Sequence, residues 1–342
     1  MNRRAAAVPR LAARLLLALV VIAGWPAAPS RAEPAQDIEL AFLPIDRFRL
    51  GSDETRFGPL EFVGGFEMRS PRSRFGQLSS MRFLTPGVDF VGVADHGYWF
   101  FGTVERDGDG VPIGMSAFAM QPLLGADGEP FEDKHYADAE GLSIADGIAT
   151  VTFERAHRVE EFRIEPGAMG PPLGEVDFLI PPHELRYNHG METVARAPAV
   201  SPLQGARIVV AERSLDGEGN LFAAILEGPE RGVFFIARSD NYDVTDGVFL
   251  PGGDLLLLER RFSLPQGVAM RLRRIAGDAI RAGSLVDGPV LYEADMTHQI
   301  DNMESLDWWR REDGALVLAL LSDDNQSMFQ RSLYLEFVLL DE

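Results

Sequence analysis

The stretch LLLLERRFS, residues 255–263, runs four leucines straight into a glutamate and two arginines. A strand with one wet face alternates apolar and polar residues, whereas an unbroken apolar run suits a strand covered on both faces. The charges then mark where that strand emerges. Near-copies recur as FVGVADHG (90–97), ATVTFERAHR (149–158), IVVAERS (208–214) and LVLALLSDDN (316–325). In each, a strand-length run stops at an acid, and the five acids Asp95, Glu154, Glu212, Glu259 and Asp323 lie 47 to 64 residues apart. That spacing is close to the size of a four-stranded propeller blade.

Turn signals fix how the runs pair. Asp146 and Gly147, Gly252 and Gly253, Asp313 and Gly314, and Pro86 and Gly87 punctuate hairpins. Counting outward from these turns sets Ser79 opposite Ala94, Glu140 beside Thr152 and Phe153, Asp246 opposite Glu259, and Glu304 opposite Ser322. Each unit therefore brings a polar residue at the start of one strand beside an acid at the end of the next, and rotation about an axis carries all of them to one rim. The predicted fold is all-β, a β-propeller of five repeat units, with a sixth blade drawn from residues 37–70 as the alternative. The last unit ends on SLYLEFVLL (332–340), a third strand with no fourth after it. LEFVGGFEM (60–68) is the strand expected to complete that blade and close the ring, which removes an exposed sheet edge.

The ends and composition narrow the function. Residues 1–32 read as a signal peptide: arginines at 3, 4, 10 and 14, a short apolar run from Leu15 to Ala23, and a small-residue exit at Ser30 and Ala32. The apolar run is too short to span a bilayer, so no membrane span is expected after cleavage, and the protein is expected to be periplasmic or secreted. Residues 33–58 form an N-terminal arm and 59–342 a single domain. With 32 basic against 52 acidic residues the formal charge is −20, and it becomes more negative once the arginine-bearing leader is gone. Such a surface excludes nucleic acid as a partner and attracts cations. The absence of cysteine excludes disulfides, thiolate metal sites and cysteine nucleophiles together. Lys134 is the one lysine in the chain.

The order of motifs resembles a known family. FGQLSSMRF (75–83), VADHGYWF (93–100), DAEGLSI (138–144), FERAHRV (153–159), LLERRFS (257–263) and IDNMESL followed by LLSDDNQS (300–327) are similar to the exported bacterial phytase-like proteins described as "esterase-like activity of phytase". The resemblance implies hydrolysis of an ester or phosphoester. It supplies no catalytic set. The calcium-dependent propeller phytases that the name brings to mind have six blades, so their ligands are not carried over onto five units.

The residues themselves supply candidates. Glu140, Glu154, Arg155, Glu212, Arg213, Glu259, Arg260 and Glu304 are the candidate catalytic groups on the rim, where Glu192 joins them. His96, His157, Arg261 and Asn325 are candidate substrate contacts, and Asp95, Asp301, Asn302 and Asp323 candidate metal ligands. Crowded carboxylates repel one another unless a cation sits among them. Calcium, which takes six to eight oxygens, is one solution, and neutralisation by the arginines is the other. With calcium, a carboxylate such as Glu140 or Glu304 would serve as base and the arginines would clamp an anionic substrate. No organic cofactor is expected. There is no GxSxG elbow, HExxH or GxxxxGK. RDGDG (106–110) reads as a turn, and the tandem Trp308 and Trp309 should face opposite sides of one strand. The leading expectation is an exported hydrolase of a small anionic or ester substrate. A non-catalytic propeller binding module and a calcium-dependent lactonase are the alternatives.

Overall fold

The computed structural model describes residues 34–340, so the leader expected at 1–32 lies outside the described residues. Five sheets stand around one axis, antiparallel except where Leu285–Val286 adds a short parallel edge to the third, and the innermost strands are Leu78–Phe83, Ala139–Ala145, Met191–Arg196, Asp243–Phe249 and Asn302–Arg310. Each packs on the next and the fifth packs on the first, which makes a closed five-bladed ring. A sixth blade is not formed. Residues 36–37 instead pair with the outer strand Pro112–Pro122 of the first blade, and 41–45 with Leu60–Arg69 of the fifth.

The leucine run explains the packing. In the fourth blade's second strand, Leu255–Ser263, the first four leucines are all fully buried. Leu255 and Leu257 pack among residues of the third blade such as Ile208 and Val210, while Leu256 and Leu258 pack among fifth-blade residues such as Leu306 and Leu320. Alternate residues thus serve two different blades, which is why no polar residue interrupts the run. Each buried leucine contributes about 2 kcal/mol of hydrophobic stabilisation.

Ring closure follows the sequence expectation. Leu60–Arg69 pairs antiparallel with Ser332–Leu339, so the fifth blade is built from both ends of the chain. The strands approach closely at Gly65, where a Cβ would lie 2.4 Å from the Tyr334 carbonyl oxygen. The Asp146–Gly147 hairpin has φ of 52° and 75°, the doubly positive geometry that tight hairpins require. The tandem tryptophans split as alternation demands: Trp308 packs toward the cluster shared with the fourth blade, and Trp309 toward the first.

One irregularity recurs five times. Every inner strand carries an extra residue against its neighbour at the same level: Ser79, the Glu140–Gly141 pair, Glu192, Thr245 and Glu304. These β-bulges shift the pairing by one and re-aim the side chain at that level. The expected register is corrected accordingly. Leu78 lies opposite Ala94, Val244 opposite Glu259 and Met303 opposite Ser322, while Asp246 lies opposite Leu258.

Candidate functional site

The bulges converge at one end of the axis, where they line a funnel of about 290 Å³. Ser79, Glu140, Glu192 and Glu304, from four of the five bulges, face it. Around them stand the residues that end the second strands: Asp95, Glu154, Glu212, Arg260 and Asp323. Each follows the residue paired just above its blade's bulge, namely Ala94, Phe153, Ala211, Glu259 and Ser322. Arg155, Asn325, Gln77, Lys134, Asp138, Asn188 and His189 complete the wall.

In the fourth blade the ring position belongs to Arg260, and the expectation for Glu259 is therefore corrected. Alternation turns Glu259 to the opposite face, where it is 1% exposed between Arg271, 2.5 Å from its carboxylate, and Arg273, at the same distance. Those arginines also reach Ser239 and the Ala237 carbonyl, so Glu259 fastens the seam with the third blade and does not touch the funnel. Arg260 points inward, donating to the Asn302 side chain and lying 3.4 Å from Glu212 and 3.5 Å from Glu304. Burial works against its charge, yet Glu304 and Glu212 outweigh that and raise its pKa.

Several other candidates also lie off the funnel wall. Arg213 turns aside to Asp243, which Arg238 holds from its other flank. His96 contacts the Arg74 carbonyl at 3.1 Å and stacks near Tyr98, and His157 packs over Gly190 with its pKa lowered by burial. Arg261 lies over the Tyr242 ring, 3.7 Å from Glu293, in a separate cleft. Asp301 accepts from the Arg331 backbone and its own neighbour Asn302. Asn302 does not line the cavity but joins Arg260 to Glu304, to which it donates at 2.6 Å.

Two groups of carboxylates are close enough to share a cation. Oxygens of Asp138, Glu140 and Glu154 lie within 4.8 Å of one another, and so do those of Glu154, Glu192 and Glu212. Glu154, common to both, is 3% exposed and accepts a hydrogen bond from the Gly190 amide. Burial, reinforced by Glu212 and Asp138, pushes its pKa to about 8. Burial also drives Glu140 and Glu192 well above the ordinary carboxylate range, each aided by the other acids of the cluster. Glu304 is lifted to about 7 by burial despite Arg260. Asp323 is also raised well above its usual value, chiefly by burial. Desolvation and like charge explain these shifts, and a cation would relieve both.

Basic side chains hold the outer wall. Lys134, on the single helical turn Lys134–Ala137, lies 2.6 Å from Asp95 and 3.0 Å from Asp138. Burial opposes the charge on Asp95, but His96 and Lys134 hold its pKa below the usual value. Arg155 reaches Asp138 at 2.5 Å, and His189 reaches Glu212 at the same distance. Away from the funnel Arg82 makes a bidentate pair with Asp246, both buried, which ties the first blade to the fourth.

A model of the phytase-like family, described as "esterase-like activity of phytase", matches residues 73–326. The chain belongs to this family. In this phytase-like chain the matched span covers the inner and second strands of all five blades, and with them the whole funnel wall. Known folds are similar at low identity. The PQQ-bound aldose sugar dehydrogenase of Streptomyces coelicolor aligns at 12% identity, covering 84% of this chain and 100% of that one, with a TM-score of 0.46. An endo-arabinase from Bacteroides thetaiotaomicron aligns at 10% identity over 77% and 93% of the two chains, also with a TM-score of 0.46. No curated protein sequence matches significantly. Among the described residues of the phytase-like chain no helix is long and apolar enough to cross a membrane.

Asp138, Gln77, Lys134, Asn188 and His189 were not among the site residues expected from sequence. A signal for two of them exists. The triplets QLS (77–79), DAE (138–140), GME (190–192), DVT (243–245) and NME (302–304) share one pattern, an apolar residue before the bulge residue. Lys134, Asn188 and His189 sit in irregular connections that carry no such repeat.

Proposed function

We propose that the protein is an exported hydrolase of anionic esters, phosphoesters foremost, working at the acidic funnel with a bound calcium ion. The observation that supports this reading is the pair of carboxylate groups that share Glu154, the oxygens within each group lying within 4.8 Å of one another. The donor set fits a hard cation: all five members are carboxylates, and among the described residues neither group includes a histidine or cysteine. Either group, Asp138 with Glu140 and Glu154 or Glu154 with Glu192 and Glu212, would hold the ion.

Bound calcium would supply Lewis acidity toward a phosphoryl or carbonyl oxygen and toward a water molecule. The protein's own groups would do the rest. Glu304, outside both carboxylate groups and lifted to about 7, is poised to accept a proton from the attacking water and return it to the departing oxygen. Asn302 and Arg260 fix its orientation. The buried Arg82 and Asp246 pair braces the first blade against the fourth. Export rests on the leader-like segment at 1–32.

The test is direct. The chain lacking its first 32 residues is assayed against phosphomonoesters, phytate, aryl esters and lactones, with calcium and with chelator, while calcorimetric titration follows calcium itself. Calcium binding with calcium-dependent turnover of a phosphoester is expected, and Glu154→Gln should lower turnover about a hundredfold. Turnover of lactones alone would move the substrate class to the lactonase reading. The absence of both calcium binding and turnover would overturn the hydrolase reading. One feature favours a non-catalytic binding module instead: Met328 and Phe329, more than 90% exposed, project from the loop that follows Asp323.

A further inference from the structure

Thirty-one of the 32 basic residues are arginines, and the remaining one, Lys134, lines the funnel. A composition that favours arginine throughout would leave a stray lysine anywhere on the surface. Here it is placed by a built local structure. The Asp133 side chain caps the single turn Lys134–Ala137 by accepting from the His135 amide, and the lysine side chain leans across two blades. Asp95 of the first blade and Asp138 of the second take two of its three ammonium protons, at 2.6 and 3.0 Å. The third meets only the Asp95 carbonyl at 3.5 Å, at the limit of a hydrogen bond. The side chain remains 35% exposed, so solvent and ligand reach it.

An arginine would bridge two carboxylates at least as well, because its planar fork matches them. The ammonium differs in concentrating its charge at one point and in keeping a donor available beyond the two aspartates. We propose that Lys134 is the anion-binding residue of the funnel, holding the phosphate oxygens of the substrate against the acidic cluster. This deepens the hydrolase reading and rests on it for the substrate class. The binding itself is measurable without turnover.

The uniqueness of the residue supplies the probe. Selective labelling with nitrogen-15 lysine leaves all three ammonium protons in place and gives two signals, the Lys134 ammonium and its backbone amide, the second serving as internal control. Inorganic phosphate should shift the ammonium resonance of Lys134 at millimolar concentration and leave the amide signal still, while acetate and chloride should shift neither. Acetate acting as strongly as phosphate would overturn the phosphate preference, and no response to any anion would overturn the proposal. In parallel, Lys134→Arg, which preserves charge and both aspartate contacts, should lower kcat/KM by about tenfold at unchanged Tm. Full activity in Lys134→Arg together with a silent resonance would reduce Lys134 to a bridge between blades while leaving the hydrolase standing. A phosphate-responsive resonance in a protein that turns over no ester would keep the anion site and sink the hydrolase.

Discussion

Glu259 and Arg260 are adjacent in the chain and serve different ends. The first is enclosed by Arg271 and Arg273 at a blade seam, and the second stands in the funnel beside Glu212 and Glu304. Removing one partner of a buried ion pair leaves the other charge stranded, which costs about 3–5 kcal/mol. Glu259→Ala should therefore lose stability of that order in urea unfolding, while the fraction that remains folded keeps its turnover. Arg260→Met should do the reverse, with turnover falling about a hundredfold and unfolding shifted far less. Equal effects of the two substitutions on turnover would return Glu259 to the site. Sequence comparison could not separate them, because the ER dipeptide of LLERRF looks like that of TFERAH and VAERS. Only the pairing shows the difference: Phe153 and Ala211 sit where Glu259 sits. Glu154 and Glu212, by contrast, line the funnel.

At the level of the strand, the bulge is the device that makes a site from a repeat. Simple alternation sends every second residue toward the axis, and one extra residue presents a further side chain at the mouth. Thr245 shows the cost of losing it. Its hydroxyl donates to the Met303 carbonyl at 2.9 Å, so Thr245→Ala should lose about 1 kcal/mol. Deleting Thr245 should be much worse, because it reverses the facing of Asp243 and Val244 and pulls Asp243 from Arg213 and Arg238. Urea unfolding of the two variants compares these costs directly, and equal midpoints would show that the bulge is dispensable. The second strands were legible from their unbroken apolar runs and the hairpins from their Asp and Gly residues. The bulges were not, since counting outward from a turn assumes one residue against one.

For the whole molecule the acids set a pH dependence whose sign can be worked out. Glu154 is pushed to about 8 in the folded chain by burial and its acidic neighbours, and Glu304 to about 7 by burial. Below the ordinary carboxylate range, under about pH 3, both states carry the proton and these groups cost nothing. As pH rises toward 8 the unfolded chain releases protons that the fold retains, so stability is lost across that window. The chain stripped of calcium should thus show Tm falling between pH 5 and 8. Calcium, which favours the ionised carboxylates, should raise Tm more at pH 8 than at pH 5. A calcium effect independent of pH would place the ion elsewhere. The five-fold arrangement and its closing strand could be read from the repeat spacing and the orphan LEFVGGFEM. The way its members divide between funnel and seam could not, because that depends on contacts between blades far apart in the chain.

Closure has a consequence for how the chain is made. Leu60–Arg69 emerges early in synthesis, yet its partner Ser332–Leu339 is among the last segments to appear. Until then the early strand waits without its mate and the fifth sheet cannot assemble. The funnel wall draws Glu304, Asp323 and Asn325 from that same late segment. The carboxylates that would hold a cation, from Asp138 to Glu212, are therefore made before the ring can close, and what arrives with the latch is the proposed base, Glu304.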